Sequence, residues 1–178
     1  MQVQLYVIRV GGDDPRKSTA LKLVRLGLAV KVPPWRVPRG AVVLNPLART
    51  VLAPEDRVLV GNHGLAVIDS SWNDGTEPIE ATARRLRGRA HRVLPLLKAG
   101  NPINYAKPTL LSSAEALAAA LYITGFKEDA VRVMSKFKWG ETFLSLNRDL
   151  LDTYAGASSR DEVLRIQNAL LRKYGIST

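Results

Sequence analysis

The chain has 178 residues, 46% of them hydrophobic, with no cysteine and two histidines, His63 and His91. This is globular composition, and it excludes disulfide frameworks, cysteine-based zinc sites and thiol nucleophiles; no stretch reaches the ~20 uninterrupted apolar residues of a membrane helix. Twenty-six basic against 16 acidic residues give a formal charge of +10, which points to a polyanion, nucleic acid first, as partner; adaptation to a salty or hot cytosol is the plainer alternative.

Residues 2–9 mix β-branched and aromatic side chains with partial alternation, predicting a strand rather than a signal peptide. A turn cluster at 11–15 follows, and Ser18 or Thr19 caps a short helix through Leu21, Leu23, Val24 and Leu26, ended by Gly27. Pro33, Pro34 and Pro38 interrupt the next segment and leave 41–44 as a buried strand. The apolar runs 58–60 and 65–68 read as two further strands, and Asn62-His63-Gly64 as a hairpin turn. The polar turn Asp69-Ser70-Ser71-Trp72-Asn73 comes next, at the kind of strand end where open α/β sheets place ligands.

Helical signals dominate from Glu80 onward. The stretch 81–88 carries Arg84, Arg85 and Arg87, with Arg89, His91 and Arg92 just beyond; 93–97 reads as a short apolar strand, and 100–108 as a proline-bracketed loop. Ser112 and Glu115 form a capping box that opens a helix apolar nearly all round, expected to be buried and to end at Gly125. Three more helices are marked by Val131, Met134 and Phe137, by Phe143, Leu146, Leu150 and Tyr154, and by Val163, Ile166, Leu170 and Tyr174.

No dinucleotide-binding glycine motif, P-loop, zinc-protease motif or nucleophile elbow occurs, and two distant histidines offer little for a Ser-His-Asp triad. What remains is loops of Asn, Ser, Thr and Pro beside apolar strand ends. Such loops suit a neutral or zwitterionic ligand held through backbone groups. Asp69, Ser70 and Trp72 offer a carboxylate, a hydroxyl and a stacking plane; the competing reading is a turn cap and a cover for the core.

Three strings occur in order: Asp14-Pro15-Arg16-Lys17-Ser18-Thr19, Ile68-Asp69-Ser70-Ser71-Trp72-Asn73, and Asn101-Pro102-Ile103-Asn104-Tyr105-Ala106-Lys107-Pro108. Leu111-Ser112 and Glu115-Ala116 follow the last. Together they resemble the aminocarboxypropyltransferases that modify small-subunit ribosomal RNA, whose strings run approximately DPK-x-C/S-S/T-G, V/L-DCSW and NP-x-NYG-x-P-x-x-LS-x-x-EA. The third string is long and specific, and the resemblance extends from about residue 3 to residue 170. Ala20 and Ala106 stand where the family often has glycine, a small change unless the backbone there needs a positive φ. Ser70 replaces the usual cysteine, so that position reads as structural.

The resemblance implies an α/β fold: an N-terminal α/β domain over 1–78, a SPOUT-like C-terminal domain over 79–178 with a trefoil knot, and a helical C-terminus. It implies S-adenosylmethionine as cofactor, no metal, and transfer of its 3-amino-3-carboxypropyl group to N3 of a pseudouridine, N1-methylpseudouridine first, in small-subunit rRNA. The partner is then that rRNA or a pre-ribosomal particle, with a cytoplasmic monomer expected and no membrane. By the same resemblance Thr19, Leu44, Pro46, Ile68, Trp72, Val93, Leu94, Leu110, Leu111, Ser112 and Ala116 contact the cofactor, with unpaired N–H groups at the start of the buried helix receiving its carboxylate. Asp69 is the acid placed to orient or deprotonate the base. Lys17, Lys22 and Arg25 on the first helix and Arg84, Arg85, Arg87, Arg89 and Arg92 on the later one are expected to hold RNA phosphates. A SPOUT-type methyltransferase and a non-enzymatic ribosome-assembly factor are the competing readings.

Overall fold

Apolar runs supply five strands: β1 (Leu5–Arg9), β2 (Val30–Lys31), β3 (Val42–Leu44), β4 (Leu65–Asp69) and β5 (Ala90–Arg92). They form one parallel sheet in the order β2-β1-β4-β3-β5 in a computed structural model that describes residues 1–11, 14–70, 75–107 and 110–175. Every residue of β4 is buried, as expected of a central strand covered on both faces. Strand alternation divides the apolar side chains between two cores. Leu5, Val7, Val42, Leu44, Leu65 and Val67 enter the larger one. Ile8, Val43, Ala66 and Ile68 enter the smaller one, with Val37, Ala41, Ile79 and Leu86.

Seven helices accompany the sheet among the described residues: α1 (Thr19–Arg25), α2 (Arg57–His63), α3 (Glu77–Arg85), α4 (Ser113–Ile123), α5 (Lys127–Met134), α6 (Gly140–Ala155) and α7 (Arg160–Lys173). The capping box at Ser112 and Glu115 is formed, and α4 is buried almost all round, packed against α1, β4, α5 and α6. The molecule is therefore a mixed α/β fold built on a five-stranded parallel sheet. The sheet runs across the expected boundary at 78/79, because β5 pairs with β3, and the larger core draws on residues from Val3 to Val163.

Four local expectations are corrected. The run 58–60 is not a strand but the middle of α2, which follows a 3-10 turn opened by Pro54. Val58 is exposed and Val60 buried, as on a helix face, and a three-residue apolar run is too short to tell the two apart. Asn62 and His63 end that helix and Gly64, at φ +97°, closes it, so there is no hairpin at this point in a wholly parallel sheet. The run 93–97 is likewise not a strand: β5 lies just before it, and only Val93 bridges, to Val51. In α5 the buried face is Ala130, Val133 and Met134; Val131 points outward, and Phe137 lies beyond the helix end.

Candidate functional site

From β1 the chain turns to β2 on one side of the sheet, and from β4 to β5 on the other. The carboxyl ends of β1 and β4 are thus the point where the connections diverge, the usual ligand crevice of an open α/β sheet. Arg9 and Asp69, the last residues of the two strands, stand opposite each other in register and form a 2.8 Å ion pair. A cavity of about 920 Å³ opens there.

Asp69 binds its surroundings together. Its Oδ2 accepts hydrogen bonds from Arg9 Nη1 and from Ser18 Oγ, both at 2.8 Å, and its Oδ1 accepts from Ser113 Oγ at 2.6 Å. Ser18 is the N-cap of α1 and accepts from the Leu21 N–H; Ser113 is the first residue of α4. One carboxylate thereby fixes β1, β4 and the starts of two helices. Among the described residues, Oδ2 has both lone pairs occupied and Oδ1 keeps one.

The start of α4 is tied from several sides. Thr19 Oγ1 accepts from the Ala114 N–H at 3.0 Å, and Ser112 Oγ from the Glu115 N–H. The N–H groups of Ala114 and Glu115 are thus engaged within the protein, the second of them by the capping box; in the first turn the Ser113 N–H is left without a protein partner among the described residues. Glu115, fully buried, accepts from the N–H groups of Gly100, Asn101 and Ser112 and from Asn101 Nδ2. Asn101 Oδ1 in turn receives the Asn104 N–H. The loop of the third string is therefore held from below by a glutamate of the same string.

The cavity gathers the expected cofactor residues. Thr19, Leu44, Pro46, Ile68, Val93, Leu94, Leu110, Leu111, Ser112 and Ala116 all line it, as do Asp69 and Lys17. Trp72 lies outside the described residues. No motif marks Arg9, Asn45, Ser113 and Trp139, which also line the cavity; Arg9 and Ser113 meet Asp69 across 60 and 44 positions, and Asn45 meets His91 across 46.

The arginine cluster is placed differently from the expectation. Only Arg84 and Arg85 lie on α3; Arg87 is in the following turn and Arg92 in β5. Arg89 donates to the Val37 carbonyl from Nε (3.1 Å) and Nη2 (2.7 Å), and Arg92 pairs with buried Asp56. Glycine at 88 breaks the helix, so the basic run is split between a helix end, a turn and a strand. Lys22 and Arg25 lie on α1 as expected, with Lys22 Nζ over the Phe137 ring, whereas Lys17 belongs to the preceding 3-10 turn. His91 Nε2 lies 2.9 Å from the Leu86 carbonyl and Nδ1 3.3 Å from Asn45 Nδ2, so the ring ties β5 to the end of α3 and to Asn45.

Residues 42–171 match the family model described as ribosome biogenesis protein, C-terminal. The chain belongs to that family. It is 47% identical over 172 residues to the 16S rRNA aminocarboxypropyltransferase of Methanothermobacter thermautotrophicus, covering 95% of this chain and 99% of that one. Identity to the Methanocaldococcus jannaschii protein of the same name is 40% over 171 residues, with 96% and 97% covered. The solved structure of the SAM-dependent rRNA:acp-transferase from Vulcanisaeta distributa superposes with a TM-score of 0.80 at 38% identity, covering 97% of this chain and 100% of that chain.

Proposed function

We infer that this protein is an enzyme that transfers the 3-amino-3-carboxypropyl group of S-adenosylmethionine to small-subunit rRNA, a step of ribosome biogenesis. The observation that carries this is the cavity at the ends of β1 and β4, where residues of the first two strings meet the third string and the start of α4. Its volume falls within the roughly 300–1,000 Å³ of small-molecule sites, and its lining suits the donor. Leu44, Pro46, Val93, Leu94 and Leu110 offer apolar walls to an adenine, and the hydroxyl-bearing starts of α1 and α4 face an amino-acid chain.

The bound sulfonium supplies three electrophilic carbons, so the residues around it select the product. In this assignment Thr19, Leu111, Ser112 and Ala116 hold the amino-acid chain, the backbone of Ile68 meets the ribose, and Trp72 covers the methyl group. Asp69 secures the floor and, through the remaining lone pair of Oδ1, orients the N–H of the incoming base. The acceptor atom is N3 of a pseudouridine, N1-methylpseudouridine first, and that base must be taken out of its stack to reach the cavity. Lys17 and Arg92 in the cavity wall, Lys22 and Arg25 on α1, and Arg84, Arg85, Arg87 and Arg89 at and after the end of α3 supply the positive field for the phosphates. A SPOUT-type knot in the C-terminal domain, a monomer acting on a pre-ribosomal particle, and a cytoplasmic location complete the proposal. It is supported by the family and by the absence, among the described residues, of a helix able to cross a membrane.

Donor labelled separately in its carboxyl and methyl groups tests the assignment on rRNA. Carboxyl label should enter the RNA while methyl label stays in the small molecule. The reverse pattern makes the protein a methyltransferase; no transfer and no donor binding make it an assembly factor.

A further inference from the structure

We propose that Trp35 and Arg85 form a stacking platform for an unpaired nucleotide of the rRNA, outside the cavity. The proposal rests on rRNA being the substrate and adds a second place where the protein grips it. Trp35 is 68% exposed, a large aromatic surface that contributes little to either core. It stands on the 3-10 turn Pro34–Arg36, preceded by Pro33 and closed by the Arg36 N–H to Pro33 carbonyl (3.0 Å) and Val37 N–H to Pro34 carbonyl (3.2 Å) bonds. Val37 is buried in the smaller core, and its carbonyl receives two hydrogen bonds from Arg89. The ring is therefore presented on a base that two prolines and a guanidinium make stiff, so little freedom is lost when a ligand stacks on it.

The Arg85 guanidinium carbon lies 5.7 Å from the centre of the Trp35 ring. The segments 34–40 and 84–89 together carry six arginines, at 36, 39, 84, 85, 87 and 89, and no acidic residue. An apolar protein partner would need apolar neighbours around the indole, whereas here a guanidinium, that of Arg85, stands over the ring and the adjoining segments are basic. Aromatic rings set among arginines bind single-stranded nucleic acid, because every base has a π-face and every nucleotide a phosphate. The platform is separate from the catalytic cavity: α3 runs from Ile79, in the cavity wall, to Arg85, on the order of 10 Å along the helix axis. A few nucleotides span that distance.

The test compares Trp35→Ala, Trp35→Phe and Arg85→Ala with the wild type on a protein-free small-subunit rRNA fragment, by direct RNA binding at several salt concentrations and by transfer kinetics. Trp35→Ala should weaken RNA binding about tenfold with an unchanged salt slope and raise KM for RNA with kcat intact. Trp35→Phe should restore most of the loss, and Arg85→Ala should flatten the slope by about one. Donor affinity should stay at the wild-type value in all three. Unchanged RNA binding in a folded Trp35→Ala protein overturns the platform, as does a defect seen only on assembled small subunits, which would assign Trp35 to a ribosomal protein. Failure of the functional reading looks different: a wild type that transfers nothing, with the platform still decided by the binding measurements.

Discussion

Ala106 has φ +60°, the one non-glycine residue with positive φ among the described residues. An L residue in that region carries about 1–2 kcal/mol of strain, because its Cβ crowds the following carbonyl. Of the two positions where related sequences have glycine, this is the one where the difference acts; Ala20 sits in the first turn of α1 with no such demand. The side chain at 106 is exposed and packs nothing, so Ala106→Gly should raise stability by about 1 kcal/mol. Glycine's greater freedom in the unfolded chain takes back part of the relieved strain. A higher urea midpoint at constant m-value is the expected reading, and a lower midpoint refutes it. Residue-scale features of this kind divide in legibility. The three strings contribute part of the cavity lining, among it Ser18, Thr19, Ile68, Asp69, Asn101 and Asn104. The clamp on Asp69 was invisible, since Ser113 meets it across 44 positions and Arg9 across 60, with no shared periodicity.

At the scale of elements, the segment 93–97 shows why apolar composition misleads. Beyond the bridge at Val93, the partners shown for Leu96 and Lys98 are side chains. The Leu96 N–H donates to Gln167 Oε1, the Leu96 carbonyl accepts from the Tyr154 hydroxyl, and Lys98 exchanges two hydrogen bonds with the Asn147 amide. Helices α6 and α7 thus take the place of a neighbouring strand, and a single Asn on a helix face carries no signal for that. Gly100 follows because a Cβ there would lie 2.6 Å from the Phe143 Cα. Asn147 is fully buried, so Asn147→Ala leaves both polar groups of Lys98 without partners and should cost about 3 kcal/mol. Amide exchange at Lys98 should accelerate with it; a loss under about 0.5 kcal/mol would show that water replaces the amide. The other helices and strands were readable where pattern and boundary signals agreed, as in α4 with its capping box and in β4, an apolar run that leads straight into a polar turn. The short apolar run in α2 offered neither.

For the molecule as a whole, the tie between the two ends of the chain is a buried ion cluster. Asp56 accepts from Arg160 Nη1 and Nη2 at 2.9 and 3.0 Å, from Arg92 Nε and from the Ala53 N–H, joining α7 to β5 and the start of α2. Burial raises the Asp56 pKa, but the hydrogen bonds and charges of the two guanidinium groups outweigh it and hold the carboxyl below its ordinary value of 3.8. The contribution to stability is therefore complete above that ordinary value and disappears as the pH falls through the lower, folded one. Asp56→Asn removes the charge at every pH and should destabilise the protein by about 3 kcal/mol near neutrality, since two partly buried arginines lose their counter-charge. The gap between variant and wild type should close in acid, which thermal melts across pH 2–7 would reveal; a constant gap would assign the loss to packing. Composition announced the excess of arginine but not that some of it is neutralised inside.

The strand order also bears on how the chain is made. In the order β2-β1-β4-β3-β5, β1 and β3 are not neighbours; the place between them belongs to β4, which leaves the ribosome after both. Until residues 65–69 emerge, β1 has a partner only in two-residue β2, and β3 has none, so each offers unpaired N–H and C=O groups to any other extended chain. The carboxylate that later fixes the cavity floor is the last residue of that inserted strand, and one of its partners, Ser113, is synthesised later still. A nascent chain therefore passes through a stage with open sheet edges and no ligand to close them, when shielding by a chaperone or by the ribosome itself matters most.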